Sequence, residues 1–264
     1  MPARPQIASL MYHEVTDEPA TSGFQRPGAF AYKHGTAAFD AHLQALIGAP
    51  APPELVVDVD FERANRHLLL TFDDGGRSAL TAAEHLSRHG WRGHFFIVTS
   101  LTGSRTFLDA EGIRELRRGG HLIGSHSHTH PNIFRAQSPA QMAEEWRTSC
   151  DAIAQILGEP SVTASVPGGD ISRRVLESAS TAGLRYLFTS EPWLAPRRIG
   201  DCWILGRYSV KTSTSAARVA ELASFRGWTR ALVRRRLKVL ATSALPPVYR
   251  LYVRLRTREG AQPA

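Results

Sequence analysis

His67-Leu68-Leu69-Leu70-Thr71-Phe72-Asp73-Asp74-Gly75-Gly76-Arg77-Ser78 is the stretch on which the fold turns. Its first half is an apolar run of strand length, which suits a strand covered on both faces, as in a parallel sheet. It then stops on two neighbouring carboxylates and two glycines. Asp-Gly pairs commonly form turns, so one reading is a turn and nothing more. Burying Asp73 and Asp74 side by side is costly without a cation, however, so the same residues also read as part of a site at a strand end.

Working outward, apolar runs bounded by turn residues recur at 7–12, 94–98, 121–125, 162–166, 185–188 and 203–210. Segments of helical period lie between them. In 36–47, Phe39, Leu43, Leu46 and Ile47 share a face behind a Thr36 cap; 78–89 and 109–118 have similar spacing, and 138–157 is stopped by Gly158 and Pro160. Alternating strands and helices build a parallel sheet, and about seven such units in one domain predict a barrel-like α/β fold with reactive groups at the C-terminal strand ends. Residues 13–35 and 49–53 are punctuated by Pro and Gly and read as loops. One as long as 13–35, directly after a barrel strand, is expected to serve function.

A second cluster follows the strand at 121–125: His126-Ser127-His128-Thr129-His130-Pro131. A helical turn here sets His126 and His130 on one face at i, i+4, as metal-ligand pairs are. An extended chain sets all three histidines on one face, and a His-rich surface tract without function is the third reading. Taken jointly, Thr71-Phe72-Asp73-Asp74-Gly75 and His126-Ser127-His128-Thr129-His130 resemble the first two motifs of the polysaccharide deacetylases, carbohydrate esterase family four. The resemblance extends over the order of elements from roughly residue 7 to 225, and the joint occurrence of both motifs is specific. It implies a distorted (β/α) barrel, with Asp73 as general base, Asp74, His126 and His130 as metal ligands, Ser127 behind them, and His128 without a role. Three protein ligands leave an open position for water and an acetamide oxygen, and zinc is the expected ion, although nickel, cobalt and iron suit similar ligands.

The chain departs from the family pattern in places. No histidine follows His130, so the late histidine that often serves as general acid is missing. Leu10-Met11-Tyr12-His13-Glu14-Val15 resembles the opening strand of a subgroup that places its histidine in the site, which makes His13 the candidate acid. In Ser165-Val166-Pro167-Gly168-Gly169-Asp170 the third motif keeps its Pro-x-Gly and lacks its arginine; the Pro167-Gly168 turn is expected to offer a backbone N–H to an oxyanion. Arg207 resembles an arginine that pairs with the base in the subgroup, the alternative being a surface arginine. Trp193 reads as an apolar wall for the acetyl group or as a packing cap. His34, His42, His67, His85, His89, His94 and His121 are expected to be structural.

The charge is uneven. Residues 226–264 carry ten Lys and Arg against the single acid Glu259, while the rest of the chain carries 22 basic and 23 acidic side chains. We therefore divide the chain into a near-neutral catalytic domain, 1–225, and a basic amphipathic helical extension, 226–264. Through 226–258 the extension is expected either to lie on an anionic membrane surface or to pack on the barrel, and no motif points to nucleic acid. Cys150 and Cys202 are expected to be reduced packing residues. With no run of roughly 20 apolar residues and no leader-like opening, the expected location is the cytoplasm, at most peripheral to the inner face of the membrane.

These readings converge on a metal-dependent N-deacetylase of N-acetylhexosamine units in a polysaccharide or lipid-linked glycan. Two rivals remain: a catalytically silent glycan-binding protein, and a metal hydrolase of another C–N amide bond.

Overall fold

The computed structural model describes residues 5–169 and 171–243. Its strands are β1 (Gln6–Tyr12), β2 (Glu14–Val15), β3 (Lys33–His34), β4 (Arg66–Phe72), β5 (His94–Ile97), β6 (Leu122–Ser125), β7 (Thr163–Ser165), β8 (Tyr186–Phe188), β9 (Arg197–Ile199), β10 (Cys202–Leu205) and β11 (Tyr208–Ser209). The helices are α1 (Thr36–Leu46), α2 (Ala79–Ser87), α3 (Ala110–Arg118), α4 (Pro139–Leu157), α5 (Arg173–Thr181), α6 (Ala216–Ala223) and α7 (Trp228–Ser243). Asp170 and residues 244–264, with most of the basic extension and its Pro246-Pro247 break, lie outside the described residues.

One sheet runs β11-β1-β4-β5-β6-β7-β8-β10-β9, parallel throughout except for β9 on β10. The single strand expected at 203–210 is therefore two strands, β10 and β11, separated by Gly206 and Arg207 and lying toward opposite ends of the sheet. That short link forces the sheet to curl into an incomplete barrel. Gly206 makes the break feasible: a Cβ there would come within 2.4 Å of the Trp193 carbonyl oxygen and 2.5 Å of that of Glu191.

Strand alternation sorts the core into layers. Ala8, Leu10, Tyr12, Leu68, Leu70 and Phe72 pack with the buried faces of α1 and α2, whereas Ile7 and Leu69 join Phe96, Phe188 and Leu205 in a separate cluster. Thr71 and Asp73 share the parity of Leu69 and so carry polar chemistry to the C-terminal end of that layer. The long helix α4 starts on a reciprocal Ser138–Gln141 capping box and, as expected, stops at Gly158, which is left-handed. The expected Thr36 cap is not one. Gly35 is the N-cap of α1, and Thr36 is instead held by Asp17, whose Oδ1 accepts from the Thr36 N–H at 2.9 Å.

Both cysteines are free. No helix among the described residues is long and apolar enough to cross a membrane.

Candidate active site

In an ideal strand Asp73 and Asp74 would point to opposite faces. Asp74 instead takes a left-handed backbone (φ 77°), which breaks the alternation and lets both carboxylates enter one cavity; strain of this kind in a non-glycine residue persists where function requires it. Both are buried, at 3% and 7% exposure. Each needs a balancing charge, and the two receive different ones.

Asp73 is balanced by Arg207, which is fully buried, not a surface arginine. The guanidinium donates to both carboxylate oxygens, at 2.7 and 2.9 Å, and is itself fixed by Thr71 Oγ1 at 3.1 Å and the Thr189 carbonyl at 2.9 Å. This forked pair is the geometry in which arginine holds a carboxylate best. Burial pushes the Asp73 carboxyl up, but the charges of Arg207 and His126 and the Arg207 hydrogen bonds outweigh it, leaving the group below its ordinary 3.8.

Asp74 has two histidines. Its Oδ1 lies 3.4 Å from His126 Nε2 and 3.7 Å from His130 Nε2. A tetrahedral ion with bonds of about 2.1 Å separates its ligand atoms by roughly 3.4 Å, and the three donor atoms, all within 4.8 Å of one another, suit a divalent cation. His126 Nδ1 lies 3.1 Å from the Ser165 carbonyl and 2.5 Å from Ser165 Oγ, which keeps the ring proton on Nδ1 and Nε2 free to bind. Burial, then the charge of His126, hold the His130 imidazole at about 3, neutral as a ligand must be. A ligand at His130 Nε2 puts its proton on Nδ1, 3.5 Å from Arg26, which then keeps its bond to Asn132 Oδ1.

The segment bearing these histidines is neither helical nor extended. Ser127 and His130 both have positive φ (63° and 52°), and Ser127 Oγ accepts from the His130 N–H at 3.0 Å, so a tight left-handed turn, not a helix face, brings His126 and His130 together. His128 leaves the site for Thr99 Oγ1 at 3.0 Å.

A cavity of about 600 Å³ opens over these groups, a volume suited to one or two sugar rings. The long loop after β1 forms part of its wall, with Phe24, Arg26 and Tyr32 in the lining. The loop is closed by the parallel pair β2–β3, which joins residues far apart in sequence. His13 lines the cavity, its ring tilted against that of Tyr32 with centroids 4.5 Å apart and its buried Nδ1 without a hydrogen-bond partner among the described residues. Burial lowers its pKa below the ordinary 6.5, opposed by the nearby charges of Asp74 and Asp73. Gly168 also lines the cavity. In that turn the Val166 and Gly169 amides are already bonded, to Phe188 and Val166 carbonyls, and proline has no amide, so among the turn's described residues Gly168 carries the remaining donor. Trp193 is not in the lining; its ring lies under Arg197 at 4.1 Å, and its neighbour Pro192 reaches the cavity instead.

Three participants were not foreseen. Ser165 Oγ donates to Asp73 Oδ1 at 3.1 Å and so links Asp73 to His126; it was visible only as the residue opening the third motif. Helix α7 supplies Ala231, Arg234 and Arg235 to the cavity wall. Its first turn is anchored by buried Trp228, and Arg235 bonds Glu191 and the Gly169 carbonyl, at 2.8 and 2.7 Å.

Glu14 is the third. Its Oε2 accepts from Ser22 and, at 2.6 Å, from Ser78, fastening the loop to the start of α2. Gly76 leaves it room, since a Cβ there would sit 2.3 Å from the carboxylate. Burial pushes the Glu14 carboxyl up to about 7 despite those hydrogen bonds. Because the folded value exceeds the ordinary 4.5, the native state holds the extra proton between the two. Its stabilisation is complete below about pH 4.5 and is lost as pH rises through about 7. Denaturant unfolding should therefore show the parent losing on the order of a few kcal/mol between about pH 5 and 8, and Glu14→Gln losing much less. Parallel pH curves for the two proteins would contradict the assignment.

The polysaccharide deacetylase family model matches residues 62–187, the segment holding both motifs and the Asp73–Asp74–His126–His130 cluster. Residues 62–187 belong to the polysaccharide deacetylase family. Among characterised relatives, the peptidoglycan-N-acetylglucosamine deacetylase PgdA of Listeria monocytogenes is 26% identical over 140 residues, 52% of this chain and 29% of that protein. A chitooligosaccharide deacetylase of Rhizobium leguminosarum bv. trifolii is 27% identical over 135 residues, 49% of this chain and 60% of that one. The chain thus spans under two thirds of the length of either. The fold of this chain matches BC0361, a polysaccharide deacetylase from Bacillus cereus, with a TM-score of 0.71 over 83% of this chain and 69% of that one at 17% identity. It also matches IcaB from Ammonifex degensii, with a TM-score of 0.68 over 83% and 97% at 21% identity.

Proposed function

We propose that the chain is a zinc-dependent N-deacetylase that hydrolyses the acetamide of N-acetylhexosamine units in a polysaccharide or lipid-linked glycan. One observation carries the reading: a buried Asp74–His126–His130 triad of metal-ligand geometry beside a second carboxylate, Asp73, held by Arg207. A divalent ion on that triad would supply a Lewis acid for the acetyl carbonyl and lower the pKa of a bound water.

The chain's own residues do the rest. Asp73 Oδ2, 3.9 Å from His126 Nε2, is placed to take a proton from a water at the triad. Arg207 and Ser165 hold that carboxylate in register, at the expense of some basicity. The Gly168 amide is available to the oxyanion. His13 would give a proton to the departing amine; its orphaned Nδ1 leaves Nε2 as the nitrogen that exchanges with the cavity.

A silent glycan binder could keep the triad, but it has no need of a buried arginine–carboxylate pair next to it, a costly arrangement without catalytic use. The test is a panel of neutral N-acetylglucosamine oligomers, O-acetylated sugars and cyclic imides, with acetate and free amine measured. Matched acetate and amine from the oligomers supports the proposal, whereas turnover confined to cyclic imides would overturn it.

A further inference from the structure

One wall of the cavity is basic and lacks acids to neutralise it. The carboxylates of the lining are Glu14, Asp73 and Asp74, all buried and all engaged: Asp73 by Arg207, Asp74 at the histidines, Glu14 by Ser22 and Ser78. Lys211, Arg218, Arg234 and Arg235 line the same cavity. Arg218 pairs with Glu221 and Arg235 with Glu191. Lys211 and Arg234 have no carboxylate partner among the described residues.

Their positions are held. Lys211 Nζ lies 5.4 Å from the centre of the Tyr32 ring, which packs at a tilt against His13, so its charge is two ring contacts from the candidate acid. Arg234 is set by its neighbour Arg235, whose bonds to Glu191 and Gly169 clamp α7 to the turns after β8 and β7. Ser213, Thr214 and Ser215 add hydroxyls to the same lining. A cavity that gathers cations without counter-charge attracts anions, and its partly enclosed walls strengthen the effect.

We infer that the glycan taken by this cavity is anionic, with a phosphate or carboxylate group on or next to the acetylated sugar seated between Lys211 and Arg234. The inference rests on the deacetylase reading and adds the substrate's charge to it. It also gives the start of α7 a role in the site, separate from any membrane contact of the later tail.

The test compares kcat/KM for acetate release from three substrates: a neutral N-acetylglucosamine oligomer, N-acetylglucosamine 1-phosphate, and N-acetylmuramic acid with its carboxylate. The last two separate phosphate from carboxylate. At least one anionic substrate should exceed the neutral one, by a ratio that falls with salt. Lys211→Gln and Arg234→Gln should each reduce that ratio about tenfold, the effect of one charge-assisted hydrogen bond. Arg236→Gln, on the same helix but outside the cavity lining, controls for net charge and should leave the ratio alone. Calorimetric binding of N-acetylglucosamine 1-phosphate to metal-free protein should weaken in the same two variants, independently of turnover. Turnover of the neutral oligomer with no anionic preference would overturn this inference and leave the deacetylase reading intact. No acetate from any substrate would instead overturn that reading. Equal loss of anionic-vesicle binding in Arg234→Gln and Arg236→Gln, with the substrate ratio unchanged, would assign these arginines to a membrane surface and also refute the inference.

Discussion

Asp73→Asn is expected to keep its metal and to lose turnover by a factor of about 10²–10⁴, the usual worth of a positioned base. The triad is untouched by the change, because Asp74, His126 and His130 supply the three donor atoms without Asp73. Asn preserves the shape but cannot accept the proton. The substitution has a second cost, since it leaves Arg207 fully buried without a counter-charge. Breaking a buried pair on one side destabilises by about 3–5 kcal/mol, within the roughly 5–15 kcal/mol that domains of this kind have. Activity should therefore be measured well below the lowered Tm, with metal content determined on the same sample. Loss of the ion in Asp73→Asn would exchange the base and ligand roles.

His13→Ala should lower kcat by a comparable factor with metal content and Tm near parental. An amine leaves a tetrahedral centre only when protonated, and no histidine follows His130 to supply that proton. His13 is the cavity-lining histidine outside the triad. Burial lowers its pKa, so its protonated fraction falls as pH rises through a value below 6.5. The alkaline limb of the rate profile should accordingly lie on the acid side of an ordinary imidazole and disappear in the variant, while the acid limb, set by Asp73 below 3.8, remains. A parental rate with an unchanged alkaline limb would move the acid elsewhere.

Local pattern carried much of this architecture. The apolar run 68–72 lies in β4 and the carboxylates that stop it stand at that strand's C-terminal end, because a strand buried on both faces leaves an unbroken apolar signature. The end of α4 was legible for a similar reason: the Gly158 and Pro160 that stop it lie next to its last turn. What escaped depends on contacts distant in the chain or on backbone torsions that residue type does not announce. Serine gives no warning of positive φ, so the turn at Ser127 read as helix or strand. The split of 203–210 follows from where β11 pairs, beside β1 at the far end of the sheet, which no local window contains. Arg207 was separable from a surface arginine only through family resemblance; its burial against Asp73 is a product of that split. The basic composition of 226–264 suggested an appendage, yet Trp228, Ala231 and Arg235 of its first turns pack on the barrel and shape the cavity. Composition reports charge, not the few apolar residues that dock a helix.

The most direct test is a zinc titration of chelator-treated protein, with bound metal and acetate release from an N-acetylglucosamine oligomer measured at each step. Acetate release should be absent at the start, rise in proportion to bound zinc, and level off at about one ion per chain, as three ligands around a single open site require. A full rate before zinc is added, or a rate indifferent to occupancy, would contradict the account.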